Sequence, residues 1–337
     1  MRTVVIGDLL ISKNWMEAPF HRKEPFKVFA YQWPVESIEE LQKINLLVEQ
    51  KGPNQAFPDN INQQIIDADP ELLLVHFYPV SRKLIEACPN LKTIGVFRGG
   101  IENVDEYAAS RAGIDVINTS GRNARAVAEF TIGMMFAALR NIGQTFVDLQ
   151  TNAQWRKNPE RINSSREIQY LTFGIVGFGK IGQLVAQLLR GLGAKTIYVY
   201  EPFQISENSS DVCFVDLPTL LSQSDVVSLH ARLTEGTKHL IGAKELAMMK
   251  STSYLINTAR SGLINEEALI EVLKSHRIAG AALDTFDLEP LPKGHPICTL
   301  DNVVCTPHIA GSTKDAFQQT PVKWLASYLA LKENKES

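Results

Sequence analysis

Cysteine is scarce in this chain, and its placement argues against two kinds of stabilisation. The cysteines, Cys88, Cys213, Cys298 and Cys305, lie far apart in 337 residues, without a Cys-x-x-Cys pair or a zinc-ligand spacing. We therefore expect no metal site and no disulfide framework. The four side chains are interpreted as reduced, mostly buried thiols.

Long apolar runs and an excess of one charge are also missing. The apolar run within residues 1–8 is too short for the core of a signal peptide, and no stretch approaches the length of a membrane span. The 34 basic and 37 acidic residues give a net charge of −3, without a broad positive field for nucleic acid or an anionic membrane. The sequence therefore predicts a cytoplasmic protein that binds neither partner.

What is present is an alternation of apolar strands and helices, which is typical of parallel sheets covered on both faces. A length of 337 residues is more than one core usually covers, so two domains are expected. Strands of the first are predicted at residues 3–6, 27–31, 45–49, 72–75, 93–97 and 115–118, with helices such as 35–43 and 81–87. Strands of the second are predicted from Tyr170 onward, then at residues 196–200, 226–230, 254–257, 279–283 and 303–306.

Two helices are predicted to join these sets. Residues 124–150 form a long apolar helical stretch, predicted to cross between the domains, whose methionines are interpreted as core packing. A closing helix over residues 314–331 is predicted to return to the first domain. Residues 14–24 are interpreted as an irregular insertion.

The most informative motif is a glycine-rich turn between a predicted strand and a predicted helix. Gly177 tolerates unusual backbone angles, Gly179 lets the main chain approach a pyrophosphate, and Gly182 allows close packing of the helix on the strand. The N-terminal amides of that helix favour anionic phosphates. Glu201 ends the next apolar run, 19 residues after Gly182, where a carboxylate accepts hydrogen bonds from ribose hydroxyls. The motif predicts a bound dinucleotide, and the carboxylate without a following cation favours NAD over NADP.

Three functional groups follow later strands of the second set. Arg260, Glu289 and His308 lie after successive apolar runs, so the parallel topology would bring them to one edge of the sheet. Histidine suits proton transfer near neutral pH, and a neighbouring carboxylate fixes its tautomer. A guanidinium grips a carboxylate through two hydrogen bonds. These groups suit reversible hydride transfer at a 2-hydroxy acid, with Arg260 binding substrate, Glu289 supporting the histidine and His308 as acid/base.

With these motifs, the chain resembles the D-isomer-specific 2-hydroxyacid dehydrogenases, the family of D-3-phosphoglycerate dehydrogenase and glycerate or hydroxypyruvate reductase. The resemblance implies a flavodoxin-like substrate domain at residues 1–119 and 312–337, an inserted Rossmann NAD-binding domain at 120–311 that includes the linking helix, and a homodimer. It implies the same roles for the three catalytic groups, and contact of Asp284 with the nicotinamide carboxamide. Further cofactor-lining positions are implied at Lys180, Ile181, Ala231, Thr258 and Gly311.

Substrate selection is predicted to come from the first domain. Gly99 and Gly100 can offer backbone amides to a substrate carboxylate. Arg98 before them either reads a second anionic group such as a phosphate or pairs with Glu102 or a loop carbonyl. His76 stands in a segment where phosphoglycerate enzymes often carry an Arg-Ser pair, which weakens that particular substrate assignment.

Three functions remain open from the sequence: a 2-keto/2-hydroxy acid oxidoreductase, a phosphoglycerate dehydrogenase proper, and an NADH-sensing protein similar to the C-terminal-binding co-repressors. The chain ends after the return helix, so neither an extra ligand-sensing domain nor co-repressor tails are expected. Formate dehydrogenase is disfavoured, because that relative has an amide where Glu289 stands. His76 and His230 are expected to pack or to form hydrogen bonds on the cofactor side.

Overall fold

The computed structural model describes residues 1–21, 23–55, 61–155, 165–201 and 211–336. The chain forms two compact units, Met1–Asn123 with Thr313–Ser337, and Ala124–Ser312.

The first unit contains a five-stranded parallel sheet in the order β2-β1-β3-β4-β5. Its strands are β1 (Arg2–Gly7), β2 (Lys27–Gln32), β3 (Leu72–Val75), β4 (Thr93–Val96) and β5 (Asp115–Asn118). Its helices are α1 (Lys13–Glu17), α2 (Ile38–Lys51), α3 (Ile61–Ala68), α4 (Arg82–Ala87), α5 (Glu106–Arg111) and, at the C-terminus, α12 (Lys314–Glu336). This strand order is that of flavodoxin-like folds, which confirms the predicted class.

The strand predicted at residues 45–49 is wrong, because these residues lie inside α2. A short apolar run can belong to a strand or a buried helix, and here the helical spacing of Leu41 and Val48 places both side chains in the core. Ser37 caps the helix by accepting a hydrogen bond from the backbone N–H of Glu40 (3.1 Å). The predicted helix 35–43 therefore begins at Ile38 and extends to Lys51.

The insertion predicted as irregular is partly helical. Helix α1 is followed by a 3-10 turn, Ala18–Phe20, and together they bury Met16 and Phe20. Both side chains belong to the core cluster that includes Val5 and Leu72 of the sheet and Trp324 of α12. This segment therefore covers one face of the sheet together with the C-terminal helix.

The second unit contains a seven-stranded parallel sheet in the order β12-β11-β10-β9-β6-β7-β8. Its strands are β6 (Thr172–Val176), β7 (Thr196–Tyr200), β8 (Cys213–Phe214), β9 (Val226–Leu229), β10 (Tyr254–Asn257), β11 (Gly280–Leu283) and β12 (Val303–Cys305). Its helices are α6 (Ala124–Leu139), α7 (Ile142–Gln150), α8 (Lys180–Gly191), α9 (Leu217–Gln223), α10 (Ala243–Met248) and α11 (Glu266–Lys274). The Rossmann order 3-2-1-4-5-6, here with one more strand, confirms the predicted fold.

The helical stretch predicted over residues 124–150 is two helices rather than one. Asn141, in the left-handed region with φ of 52°, separates α6 from α7. Met134 and Met135 of α6 are buried in a core cluster with Phe173 of β6, so their predicted packing role is confirmed.

The cysteines are less buried than predicted. Cys88 is buried, whereas Cys305 is half-buried and Cys213 and Cys298 are exposed. Cys213 and Cys298 lie on a short strand and a 3-10 turn at the surface, where no core covers them. Within the described residues, no helix is long and apolar enough to cross a membrane.

Candidate functional site

The glycine-rich turn after β6 has no room for larger side chains at two of its three glycines. Gly177 has a φ of 94°, and a Cβ there would lie 2.3 Å from the backbone nitrogen of Ala231. A Cβ at Gly182 would lie 2.2 Å from the carbonyl oxygen of Gly177, so the start of α8 packs directly on the turn. A Cβ at Gly179 would meet no described atom within 4 Å, which leaves this backbone open to a ligand.

The turn lies where the strand order of the sheet reverses. Gly177 follows β6 and Ala231 follows the neighbouring β9, and ligands of open α/β sheets bind at the carboxyl ends of such strands. Gly179 caps α8 without a side-chain hydrogen bond, so the first amides of this helix are available to an anion. Lys180 is exposed and Ile181 half-buried at the same helix start. The turn therefore fits the pyrophosphate of a dinucleotide.

The carboxylate of Glu201 lies at the same turn. Glu201 directly follows β7, and its Oε2 accepts a hydrogen bond from the backbone N–H of Phe178 (2.6 Å). The side chain thus stands beside the glycines, as a ribose-binding carboxylate requires. Residues Pro202 to Gln204, which supply no cation in the sequence, lie outside the described residues.

His308 and Glu289 form a hydrogen-bonded pair. The Nδ1 of His308 lies 2.8 Å from Oε2 of Glu289, and the Glu289 Oε1 accepts from the backbone N–H of Phe286 (3.0 Å). The hydrogen bond that His308 donates to Glu289 raises the pKa of His308 against the opposing effects of burial and of Arg260. Burial alone would raise the pKa of Glu289, but the hydrogen bonds from His308 and Phe286 outweigh it and lower that pKa. The raised pKa of His308 and the lowered pKa of Glu289 both favour the charged forms, an imidazolium beside a carboxylate.

Arg260 lies close enough to this pair for its charge to lower both pKa values. The arginine is exposed, and its Nη1 donates to the carbonyl of Ala259 (2.8 Å). Asn257, the last residue of β10, fixes the turn: its Nδ2 donates to the Arg260 carbonyl (2.9 Å) and its Oδ1 accepts from the Ala259 N–H (3.0 Å). The structure thus brings together the three groups that the sequence predicts at this edge.

Asp284 has a structural role that was not predicted, in addition to the cofactor contact that the resemblance implies. Its carboxylate is fully buried and accepts hydrogen bonds from the Thr306 hydroxyl (2.6 Å) and from the backbone N–H groups of Ile309 (3.0 Å) and Ala310 (2.8 Å). These donors flank His308, which has a φ of 53°. Asp284 therefore holds the loop that carries His308 and ends at Gly311. The signal in the sequence was an acid directly after a buried strand.

Thr258 and His230 turn inward. The Thr258 hydroxyl lies 2.7 Å from that of Thr131, which itself donates to the Val127 carbonyl, so the Thr258 hydroxyl donates within the protein. His230 is bonded through Nε2 to Ser228 (2.9 Å), and burial lowers its pKa to about 3. A neutral, half-buried His230 cannot serve as acid/base near pH 7, in agreement with the packing role predicted for it.

The predicted substrate loop lies in the first unit, where protein side chains surround Arg98. Its guanidinium donates to Glu49 (2.6 Å) and Asn45 (2.6 Å), lies 3.4 Å from Glu102, and covers the Phe77 ring. Of the two alternatives for Arg98, pairing with Glu102 is the one present, together with a second carboxylate. Gly99 is open and Gly100 lies against the Glu102 carboxylate.

A dinucleotide turn together with an arginine, a glutamate and a histidine at one sheet edge defines an oxidoreductase that moves hydride and proton. Residues 132–310 match the model of the D-isomer specific 2-hydroxyacid dehydrogenase NAD binding domain. The chain belongs to this family, and its class of activity is NAD-dependent oxidation of CH–OH donors and the reverse reduction. These matches favour the enzyme over the sensing alternative.

The similar proteins carry names that refer to different acids. A glyoxylate reductase of Thermofilum pendens is 41% identical over 244 residues, which is 71% of each chain. A D-3-phosphoglycerate dehydrogenase of Methanocaldococcus jannaschii is 38% identical over 260 residues, 77% of this chain but 48% of that protein. Among solved structures, the TT0316 protein of Thermus thermophilus superposes with a TM-score of 0.74 at 28% identity, covering 99% of this chain and 97% of that one.

Proposed function

We propose that this protein interconverts a D-2-hydroxy acid and its 2-keto acid of the glycerate, hydroxypyruvate, glyoxylate or 3-phosphoglycerate type, with His308 as acid/base. The observation that carries the proposal is the hydrogen bond between His308 and Glu289. Because the Glu289 carboxylate can only accept this hydrogen bond, Nδ1 of His308 carries the proton. Nε2 of His308 therefore remains available to the substrate oxygen. In the reducing direction the imidazolium donates its Nε2 proton to the carbonyl oxygen, and in the oxidising direction neutral Nε2 accepts it.

Arg260 and the glycines of the substrate loop have the complementary task of holding the substrate. Arg260 is free of ion pairs within the described residues, so its guanidinium can grip the substrate carboxylate with two hydrogen bonds and polarise the adjacent carbonyl. Backbone amides at Gly99 and Gly100 are the second proposed carboxylate ligands. Bound NAD supplies the hydride acceptor or donor.

Cofactor contacts are proposed at the positions given by the motif and the resemblance. The phosphate turn is formed by Gly177, Gly179 and Gly182, and Glu201 would bind the ribose. Further contacts are proposed at Lys180, Ile181, Ala231, Thr258, Asp284 and Gly311. Asp284 would contact the nicotinamide carboxamide with whatever hydrogen-bonding capacity its three protein donors leave.

A homodimer in the cytoplasm is the proposed state of the protein. Helix α7 and the segment after it expose large apolar side chains: Ile142 is 53% exposed, Phe146 62% and Trp155 79%. Clustered apolar exposure of this kind is typical of interaction surfaces. Light scattering coupled to size exclusion tests the dimer, and Phe146→Glu should shift the protein toward monomer.

The experiment that tests the activity follows NADH oxidation with hydroxypyruvate, glyoxylate, phosphohydroxypyruvate and branched 2-keto acids. His308→Asn, a residue type that tolerates the positive φ of this position, is assayed beside the wild type. Loss of acid/base catalysis should lower kcat by about 10²- to 10⁴-fold. NADH binding, measured by fluorescence, should persist. No turnover of any acid by wild-type protein that binds NADH would refute the proposed activity.

A further inference from the structure

A second cluster of buried polar groups lies in the first unit, at the carboxyl edge of its sheet. Asp8 follows β1 and His76 follows β3, the two neighbouring strands between which the strand order reverses. That position is where ligands of open α/β sheets bind. The Nδ1 of His76 lies 2.8 Å from Oδ2 of Asp8, and both side chains are almost fully buried.

The hydrogen bonds of this pair define its protonation state. Asp8 also accepts from the backbone N–H groups of Leu10 and Ile11 (2.9 Å each). Although burial opposes it, these donors and His76 lower the pKa of Asp8, so His76 donates from Nδ1. Burial lowers the pKa of His76, and its Nε2 is buried without a hydrogen-bond partner in the described part of the chain. His76 therefore presents an unused acceptor.

Arg122 lies in the same cluster and forms no direct ion pair within the described residues. Its guanidinium stacks 4.9 Å from the centre of the Phe317 ring, and the His76 ring meets the same ring at 6.0 Å. Nη1 is buried and makes no hydrogen bond, and no described carboxylate forms an ion pair with this arginine. Burial lowers the pKa of Arg122 to about 10; the charge of Arg98 adds to this effect and that of Asp8 opposes it. The nearby carboxylate of Asp8 is already engaged by His76 and by two backbone N–H groups, so no carboxylate directly contacts the desolvated guanidinium and the site is suited to an external anion.

Arg98, in the same unit, differs from Arg122 because protein side chains pair with its charge. It is surrounded by Glu49, Asn45 and Glu102, so its charge is already balanced. Its guanidinium covers Phe77, whose ring packs 4.1 Å from that of His76. The cluster is thereby continuous with the residue that precedes the Gly99–Gly100 loop. Of the two arginines, Arg122 is the one left for a ligand.

We propose that Arg122 and His76 form a subsite for a second anionic group of the substrate, beside the loop proposed to bind its C1 carboxylate. This inference rests on the proposed function and narrows its substrate to 2-keto acids with an acidic group at the far end. Carboxylate and phosphate both match a guanidinium. A phosphate monoester, with a second pKa near 6, can also carry a proton for the Nε2 acceptor of His76.

The test compares matched substrates that differ in the distal group. The ratio of kcat/KM for phosphohydroxypyruvate over hydroxypyruvate is measured, together with the ratio for 2-oxoglutarate over 2-oxobutyrate. In wild type at least one ratio should be well above one, and the pair that shows it identifies phosphate or carboxylate as the ligand. Arg122→Gln should lower that ratio by at least about 30-fold, as expected for loss of a buried charge partner. The matched control is Arg125→Gln, because Arg125 is exposed and paired with Glu129.

A second variant and a binding measurement complete the test. His76→Gln should lower the same ratio by a smaller factor, and if it fails to fold, Arg122→Gln decides. If wild type turns over no keto acid, the proposed function fails; the subsite is then tested by calorimetry with D-3-phosphoglycerate and D-glycerate on protein saturated with NAD. Ratios or affinities that do not change in Arg122→Gln, or the absence of any preference in wild type, would overturn the subsite.

Discussion

The imidazole of His308 and the carboxylate of Glu289 lie 2.8 Å apart, and this one contact relates the geometry of the site to its pH dependence. It raises the pKa of His308 above 6.5 and lowers that of Glu289. Reduction of a keto acid requires the imidazolium. Its kcat/KM should therefore be maximal below the pKa of His308 and fall as pH rises through it, whereas oxidation shows the opposite trend.

Glu289→Gln is expected to move this pH profile. An amide keeps the shape of the side chain but removes the charge that favours the imidazolium, so the fall in reduction should occur about 1 to 3 pH units lower. Asp287→Asn, on the same loop and exposed, is the control and should leave the midpoint in place. A Glu289→Gln profile with the wild-type midpoint would show that Glu289 does not set the pKa of His308.

Substitutions at the glycines of the cofactor turn should distinguish an effect on stability from an effect on NADH binding. Gly177→Ala places a methyl group 2.3 Å from Ala231 N at a φ of 94°, so strain of about 1–3 kcal/mol should lower the melting temperature. Gly179→Ala meets no described atom and should instead weaken NADH binding at an unchanged melting temperature. Gly191→Ala, at the far end of α8, should change neither property adversely. Equal loss of stability in the Gly177 and Gly179 variants would contradict this division.

Much of both sheets could be predicted from the sequence, because buried parallel strands are short apolar runs. Residues at strand ends, such as Arg260 and His308, could be placed because each comes soon after its strand in the chain. The strand at 45–49 was wrong because an apolar run of that length fits a helix equally well. Of the partners of Arg98, Glu102 was among the alternatives predicted, whereas Glu49 could not be predicted, since it is 49 residues away. The surroundings of Arg122 could not be predicted either, because they depend on Phe317 of the C-terminal helix, which is distant in the chain.

Asp284→Asn should impair catalysis by loosening the His308 loop. The carboxylate accepts three hydrogen bonds in a fully buried position, and an amide nitrogen would face a donor instead. Leaving one buried group unsatisfied costs about 1–3 kcal/mol, which should appear in the denaturant midpoint. The reduction kcat should fall as well, while Asp287→Asn again serves as control. A variant with wild-type stability and kcat would show that the loop does not depend on this carboxylate.

Glu201 should decide between the two nicotinamide dinucleotides. Its carboxylate stands beside the glycine turn, held by the Phe178 N–H, where the 2′-phosphate of NADPH would meet a like charge. Wild type should therefore prefer NADH, and Glu201→Gln should narrow the ratio of kcat/KM for NADH over NADPH by at least about tenfold, because like-charge contacts cost several kcal/mol. Glu235→Gln, exposed after β9, carries the same change in net charge and should leave the ratio as it is. Because the two variants have equal net charge, a ratio that moves equally in both would assign the preference to the overall field rather than to Glu201.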